Sequence, residues 1–182
     1  MKRTLLASAG LAIVVAACGG GSMSETEYVE NLNALVVDAG SRFEAVFAAF
    51  EQTADPTLEE FVALVEQQLT IEYDVRDTFE TLDPPDSIDD VNRVMVDTLG
   101  QIIVVAEGLV AASDTVNSLE ELEQTPEFFE YQTVNADADS MCLDVQTKIN
   151  ALATTEAIDN PWIADLRMTV RAFLDCDEVE PG

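Results

Sequence analysis

Glu72 is the residue whose position most invites chemistry. On a helix of 3.6 residues per turn, Leu64, Val65, Ile71, Val75, Phe79 and Leu82 share one apolar arc, and Gln68 and Glu72 fall inside it. A carboxylate on such an arc needs a partner or a raised pKa. Arg76, one turn on, or Arg93 from the next helix could pair with it, or the end of the bundle could open to water there. The functional alternative is a polar contact in a cavity between helices, with Glu72, Gln68 and Arg76 as candidate ligand contacts.

Most other chemistry is excluded by what the chain lacks. It has 182 residues, 36 Asp and Glu, 8 Lys and Arg, and no His. Without His there is no Ser-His-Asp or Cys-His triad, no His-ligated zinc, copper or haem, and no Glu-x-x-His di-iron site. The net charge of -28 opposes nucleic acid and anionic headgroups as partners. Acids cluster at Asp83, Asp86, Asp89 and Asp90, at Glu120, Glu121 and Glu123, at Asp137 and Asp139, and at Asp175, Asp177, Glu178 and Glu180. None has the spacing of an EF-hand loop, so no metal site is assigned and the clusters read first as a solvated face. Loose binding of a divalent cation is the alternative. Paired carboxylates could in principle perform acid/base hydrolysis, but a helical bundle offers a poor cleft for it. No enzymatic activity and no cofactor are expected.

The N-terminus has its own logic. Lys2 and Arg3 precede an apolar stretch from Leu5 to Ala17, which has the length of a signal peptide and is too short to span a bilayer. It closes on Val15-Ala16-Ala17-Cys18, followed by Gly19-Gly20-Gly21-Ser22. This pattern resembles the lipobox of bacterial lipoproteins. The resemblance implies cleavage before Cys18, diacylglycerol on its sulfur and a further palmitate-like chain on its amine. It thus implies a chain held outside the cytoplasm by the lipid bilayer of the bacterial cell membrane, with inner and outer membrane both open where the host has two. Two or three chains anchor stably, since each buried CH2 contributes about 0.8 kcal/mol. Residues 1–17 are then the signal peptide, 18–23 the lipidated Cys and flexible tether, and 24–182 an acidic helical domain.

Two further cysteines remain, Cys142 and Cys176. Outside the cytoplasm an even pair favours a disulfide, worth about 3–4 kcal/mol for such a loop. Two free buried thiols are the alternative.

The elements that must position these residues are helical nearly throughout. Ser24 and Glu27 form a capping-box spacing ahead of Tyr28, Leu32, Leu35, Val36, Ala39, Phe43, Val46, Phe47 and Phe50, with an end near Thr53. Thr57 and Glu60 repeat the spacing before a second helix, which Asp83-Pro84-Pro85 stops. A third helix is predicted from Ser87, with Ile88, Val91, Met95, Ile102, Val105, Leu109 and Val116 inward. Its run from Ile102 to Ala112 is too short for a membrane span and reads as the most buried stretch. Ser118 to Gln124 is an acidic turn or short helix. Thr125-Pro126 opens a fourth helix reaching Leu152, with Phe128, Tyr131, Val134, Met141, Cys142, Val145 and Ile149 inward. Asn160-Pro161 caps a shorter fifth, with Trp162, Leu166, Val170 and Phe173 on one face. The expected fold is all-α: an antiparallel up-down four-helix bundle with a short C-terminal fifth helix or tail pinned by the disulfide. Phe129 and Tyr73 fall off the inner arcs and point weakly to a partner surface.

The Leu82-Asp83-Pro84-Pro85 break, the Cys142-x-Leu element and the late Cys176 also resemble those of small helical lipoproteins of bacteria. Such relatives often carry a His shortly after the Pro pair, where this chain has Val91, Asn92 and Arg93. The resemblance implies no activity. The expected function is non-catalytic: a membrane-anchored bundle that binds a small ligand or cation, or alternatively a structural protein of the envelope whose acidic surface meets a basic partner protein.

Overall fold

The computed structural model describes residues 22–136, 145–152 and 161–173. Among them all regular structure is α-helical: α1 Glu25–Phe50, α2 Leu58–Thr81, α3 Asp89–Ser113, the single turn α4 Leu119–Leu122, α5 Pro126–Ala136, α6 at 145–152 and α7 Pro161–Phe173. Cys18, Cys142 and Cys176, with the expected lipidation and disulfide, lie outside the described residues, as do Met141 and the predicted continuity of the fourth helix through 137–144.

Capping sets most of the starts. Thr57 makes the full reciprocal box with Glu60: its hydroxyl accepts from the Glu60 N–H, and the Glu60 carboxylate accepts from the Thr57 N–H at 2.8 Å. Ser24 makes half a box, accepting from the Glu27 N–H at 3.3 Å. Ser118 caps α4 in the same way. Between α1 and α2 the chain turns through Asp55, which holds a left-handed φ of 59°, a conformation Asp tolerates better than most residues.

The third helix starts differently from the prediction. Ser87 is not its cap. Ile88 holds that position without a side-chain hydrogen bond, and Asp89 is the first helical residue. The Ser87 hydroxyl instead donates to the Glu25 carboxylate on α1 at 3.1 Å. The Met23 N–H donates to the Asp83 carbonyl at 2.9 Å. The start of α1 is thereby fastened to the α2–α3 turn.

α2 packs on both α1 and α3, α5 covers α3, and α7 lies along α1. The apolar interior forms two groups. The larger joins Tyr28, Leu32 and Val36 of α1, Val75 and Phe79 of α2, Val91 and Met95 of α3, Ile149 of α6, and Trp162 and Leu166 of α7. The smaller joins Val65 and Leu69 of α2, Ile103, Ala106 and Leu109 of α3, and Leu122 of α4. Phe61 links it outward, its ring 6.4 Å from Phe50 and 6.1 Å from Phe128.

The C-terminal half of α3 corrects the predicted stripe. Ile103, Ala106 and Leu109 are buried, Ile102 and Val105 are half-buried, and Val104 is 65% exposed. The core line advances by mixed steps of three and four residues, as a 3.6-residue repeat demands, so the heptad step from Met95 to Ile102 drifts off the seam. This stretch is therefore not apolar-buried all round. Taken whole, Asp89–Ser113 is long and apolar enough to cross a membrane. The core helix of a bundle meets the same description, and one face of this helix is packed against α2 and α5.

Candidate functional site

Glu72 sits on α2 between the two apolar groups. The residue as a whole is half-buried, but its Oε2 is sealed from solvent and has no hydrogen-bond partner. Removal from water penalises the charged form, and its pKa rises from the ordinary 4.5 to about 7. The carboxyl therefore changes charge near neutral pH.

The candidate neighbours are engaged elsewhere. One turn before Glu72, Gln68 is 8% exposed, and its Oε1 accepts from the Tyr131 hydroxyl of α5 at 3.0 Å. One turn after it, Arg76 reaches Asp77 at 3.2 Å and Glu80 at 3.7 Å, with its guanidinium 5.1 Å from the Tyr73 ring. Arg93 bonds Asp90 and approaches Asp89 at 3.8 Å. Neither arginine forms an ion pair with Glu72. The two pairing alternatives thus fall away. The three residues share a face of α2 without hydrogen-bonding one another; Glu72 keeps an unused acceptor, and Arg76 Nε is likewise buried without a hydrogen-bond partner. Tyr73, expected as half-exposed, donates to Glu107 of α3.

Two of the acidic clusters are engaged in part, and those at Asp137 and Asp139 and at Asp175 to Glu180 lie outside the described residues. Asp89 and Asp90 meet Arg93, and Glu121 accepts from the Asn117 N–H at 2.7 Å. Among the described residues no three Cys, Asp or Glu side chains converge as metal ligands. Phe129 is 58% exposed, as its place off the inner arc implied.

A second feature escaped the pattern of the sequence. Along the α1–α7 seam runs a groove of about 580 Å³ whose lining includes Glu30, Asn33, Trp162, Asp165, Met168 and Thr169. None of Gln68, Glu72 and Arg76 lines it. Trp162 and Thr169 are buried, and the Thr169 hydroxyl lies 3.4 Å from Asn33 Oδ1. Only Trp162 carried a signal in the sequence, as an inward residue of the fifth helix. Its facing residues on α1 lie some 130 positions earlier, and no period links the two segments.

Comparison of the chain with protein-family models, with curated proteins and with solved structures finds no match.

Proposed function

We propose that this chain is a bacterial lipoprotein that binds a small ligand or cation outside the cytoplasm, without catalysis. Its anchoring rests on one sequence observation: Val15-Ala16-Ala17-Cys18 closes an apolar stretch that follows Lys2 and Arg3. In this reading residues 1–17 are removed, Cys18 carries the acyl chains, and 24–182 form an up-down four-helix bundle with a short fifth helix held by a Cys142–Cys176 disulfide. The Met23–Asp83 hydrogen bond at one end of α1 and the Phe50–Phe61 contact at the other favour the up-down path. The binding role rests on the sealed, unpartnered Oε2 of Glu72, since a buried acceptor without a donor is stabilised by a ligand that supplies one.

Metabolic labelling with palmitate tests the anchor. Label should appear on the wild-type chain and vanish with Cys18→Ala, which should also leave the membrane fraction. Label that survives Cys18→Ala overturns the assignment.

The surplus of acids supports a second reading, an interaction protein that meets a basic envelope partner. Arg42, Arg76 and Arg93 each already face two carboxylates, so most of the 36 acids remain uncompensated. Calcium separates this reading from a cation site. Binding to the folded state alone would raise stability by ~2.7 kcal/mol at a hundredfold excess over Kd. A melting temperature that saturates at micromolar calcium would support an organised site. A rise that tracks ionic strength only, matched by sodium chloride, would mean a screened acidic face and would support the interaction reading.

A further inference from the structure

We infer that the α1–α7 groove is a binding site for an amphiphilic organic cation, an ammonium head carried on an apolar chain. Its volume, about 580 Å³, suits a small ligand. Two carboxylates stand on it, Glu30 from α1 and Asp165 from α7, and among the described residues no Lys or Arg lines it. Neither carboxylate makes a hydrogen bond or ion pair among the described residues, so both are available to a ligand. In the same groove lie the indole of Trp162 and the thioether of Met168, one rigid and one adaptable apolar surface. Met168 is 64% exposed, as are Val37, Val104 and Phe129 to a similar degree elsewhere on the surface, but it alone of these lines the groove. The exposed Asn33 and the buried Thr169 add hydrogen-bonding groups to the lining. An anion would meet two like charges, and a neutral chain would leave both carboxylates uncompensated. A protonated or quaternary amine on a short apolar chain satisfies both halves of the lining.

The position of the groove favours an amphiphile over a fully water-soluble amine. Thr26, at one end of the lining, is eight residues beyond Cys18. Eight extended residues span at most about 28 Å, so on a chain anchored at Cys18 the groove lies close to the bilayer surface. This step, and only this step, rests on the anchoring proposed above.

The chain has a single tryptophan, and it lines the groove, so fluorescence reports on this site alone. The full chain in a neutral detergent would be titrated with three probes of matched length: 6-bromohexyl-trimethylammonium, 6-bromohexanol and 6-bromohexanoate. Bromine quenches tryptophan on close approach. The expected result is saturable quenching by the cation and weak, unsaturable quenching by the other two. Glu30→Gln combined with Asp165→Asn should weaken the cation by ~tenfold or more, while Glu120→Gln with Glu121→Gln, remote from the groove, should not. Tetramethylammonium, which has the head without the chain, should compete poorly. Both groove carboxylates are exposed, so circular dichroism should show the variants folded. Equal quenching by the neutral or anionic probe overturns the inference, as does unchanged affinity in the Glu30/Asp165 variant or the absence of quenching by all three. Strong competition by tetramethylammonium would point to a soluble cation and overturn the amphiphile. Each of these failures would leave palmitate labelling at Cys18 untouched, so the groove and the anchor fail separately.

Discussion

The two apolar groups at opposite ends of α2 and α3 are built differently. At one end α1, α6 and α7 close around Tyr28, Phe79 and Trp162, and the pairs that hold them are distant in sequence: Tyr28 donates to Asn92, and Thr169 meets Asn33 across 136 positions. At the other end α5 covers α3 with Phe128 and Tyr131, a single turn, α4, plugs the remaining gap with Leu122, and α1 runs out with Phe47 43% exposed. The first end has more helices than one layer needs, and the cover provided by α7 leaves a groove. The second is closed by α5 and one short turn. Depth of burial and openness to ligands therefore go together here, because the extra helix that seals the core also makes the seam.

The largest test of this contrast is Phe79→Ala against Leu122→Ala. Phe79 has no exposed surface and belongs to the larger apolar group, to which several long helices contribute, so its cavity should collapse little, and a loss of about 3–5 kcal/mol is expected. Leu122 is equally buried but rides on a four-residue helix that can settle inward, so its loss should fall nearer ~2 kcal/mol. Denaturant unfolding measures both. A larger loss at Leu122 would reverse the ranking of the two ends.

Between the ends, Glu72 sharpens the comparison through pH. Its folded pKa, about 7, lies above its ordinary 4.5, so the folded state holds the proton more tightly than the unfolded chain. The residue's contribution is most favourable below pH 4.5, declines as pH rises through 7, and is level above that. Because the side chain is only half-buried, the full shift overstates the effect, and about 2 kcal/mol is a fair scale. Of the charged groups on α2 nearest to it, Arg76 pairs with Asp77 and Glu80, and Asp74 with Arg42; across the interface, Glu107 of α3 accepts from Tyr73. None supplies a donor to Oε2. Glu72→Gln should therefore gain about 2 kcal/mol over wild type at pH 8 and almost nothing at pH 5. An equal difference at both pH values would mean that the carboxyl titrates as a solvated one.

What could be read in advance follows from how local each cause is. The capping residues Thr57 and Glu60, the stop at Asp83-Pro84-Pro85 and the stripe from Tyr28 to Ala39 are each written within a few positions, and the structure carries them. Glu72 was legible for the same reason, since one helical arc exposes an intruding charge. Ser87 misled because a hydroxyl ahead of two acids looks like a cap, while a distant carboxylate, Glu25, competes for it. The engagement of Gln68 with Tyr131 and the α1–α7 groove depend on which helices become neighbours, and helical periodicity within a segment does not encode that.

The smallest expected effects compare two ties from α1, one buried and one on the surface. Tyr28 is fully buried, and its hydroxyl donates to Asn92 of α3 at 2.7 Å. Burial, and then the charge of Asp89, push its pKa up, so it stays a neutral donor. Tyr28→Phe leaves the Asn92 oxygen of this part-buried bond without its donor and should cost about 1–2 kcal/mol. Arg42 pairs with Asp74 of α2 at 2.7 Å, in water on both sides, and Arg42→Ala should cost less than about 1 kcal/mol. High salt should erase the second loss and leave the first intact, because screening reaches only the exposed pair. If Arg42→Ala proved the more costly and resisted salt, α1 would be held to the bundle by its surface ties, and the well-packed end would owe its order to them more than to its core.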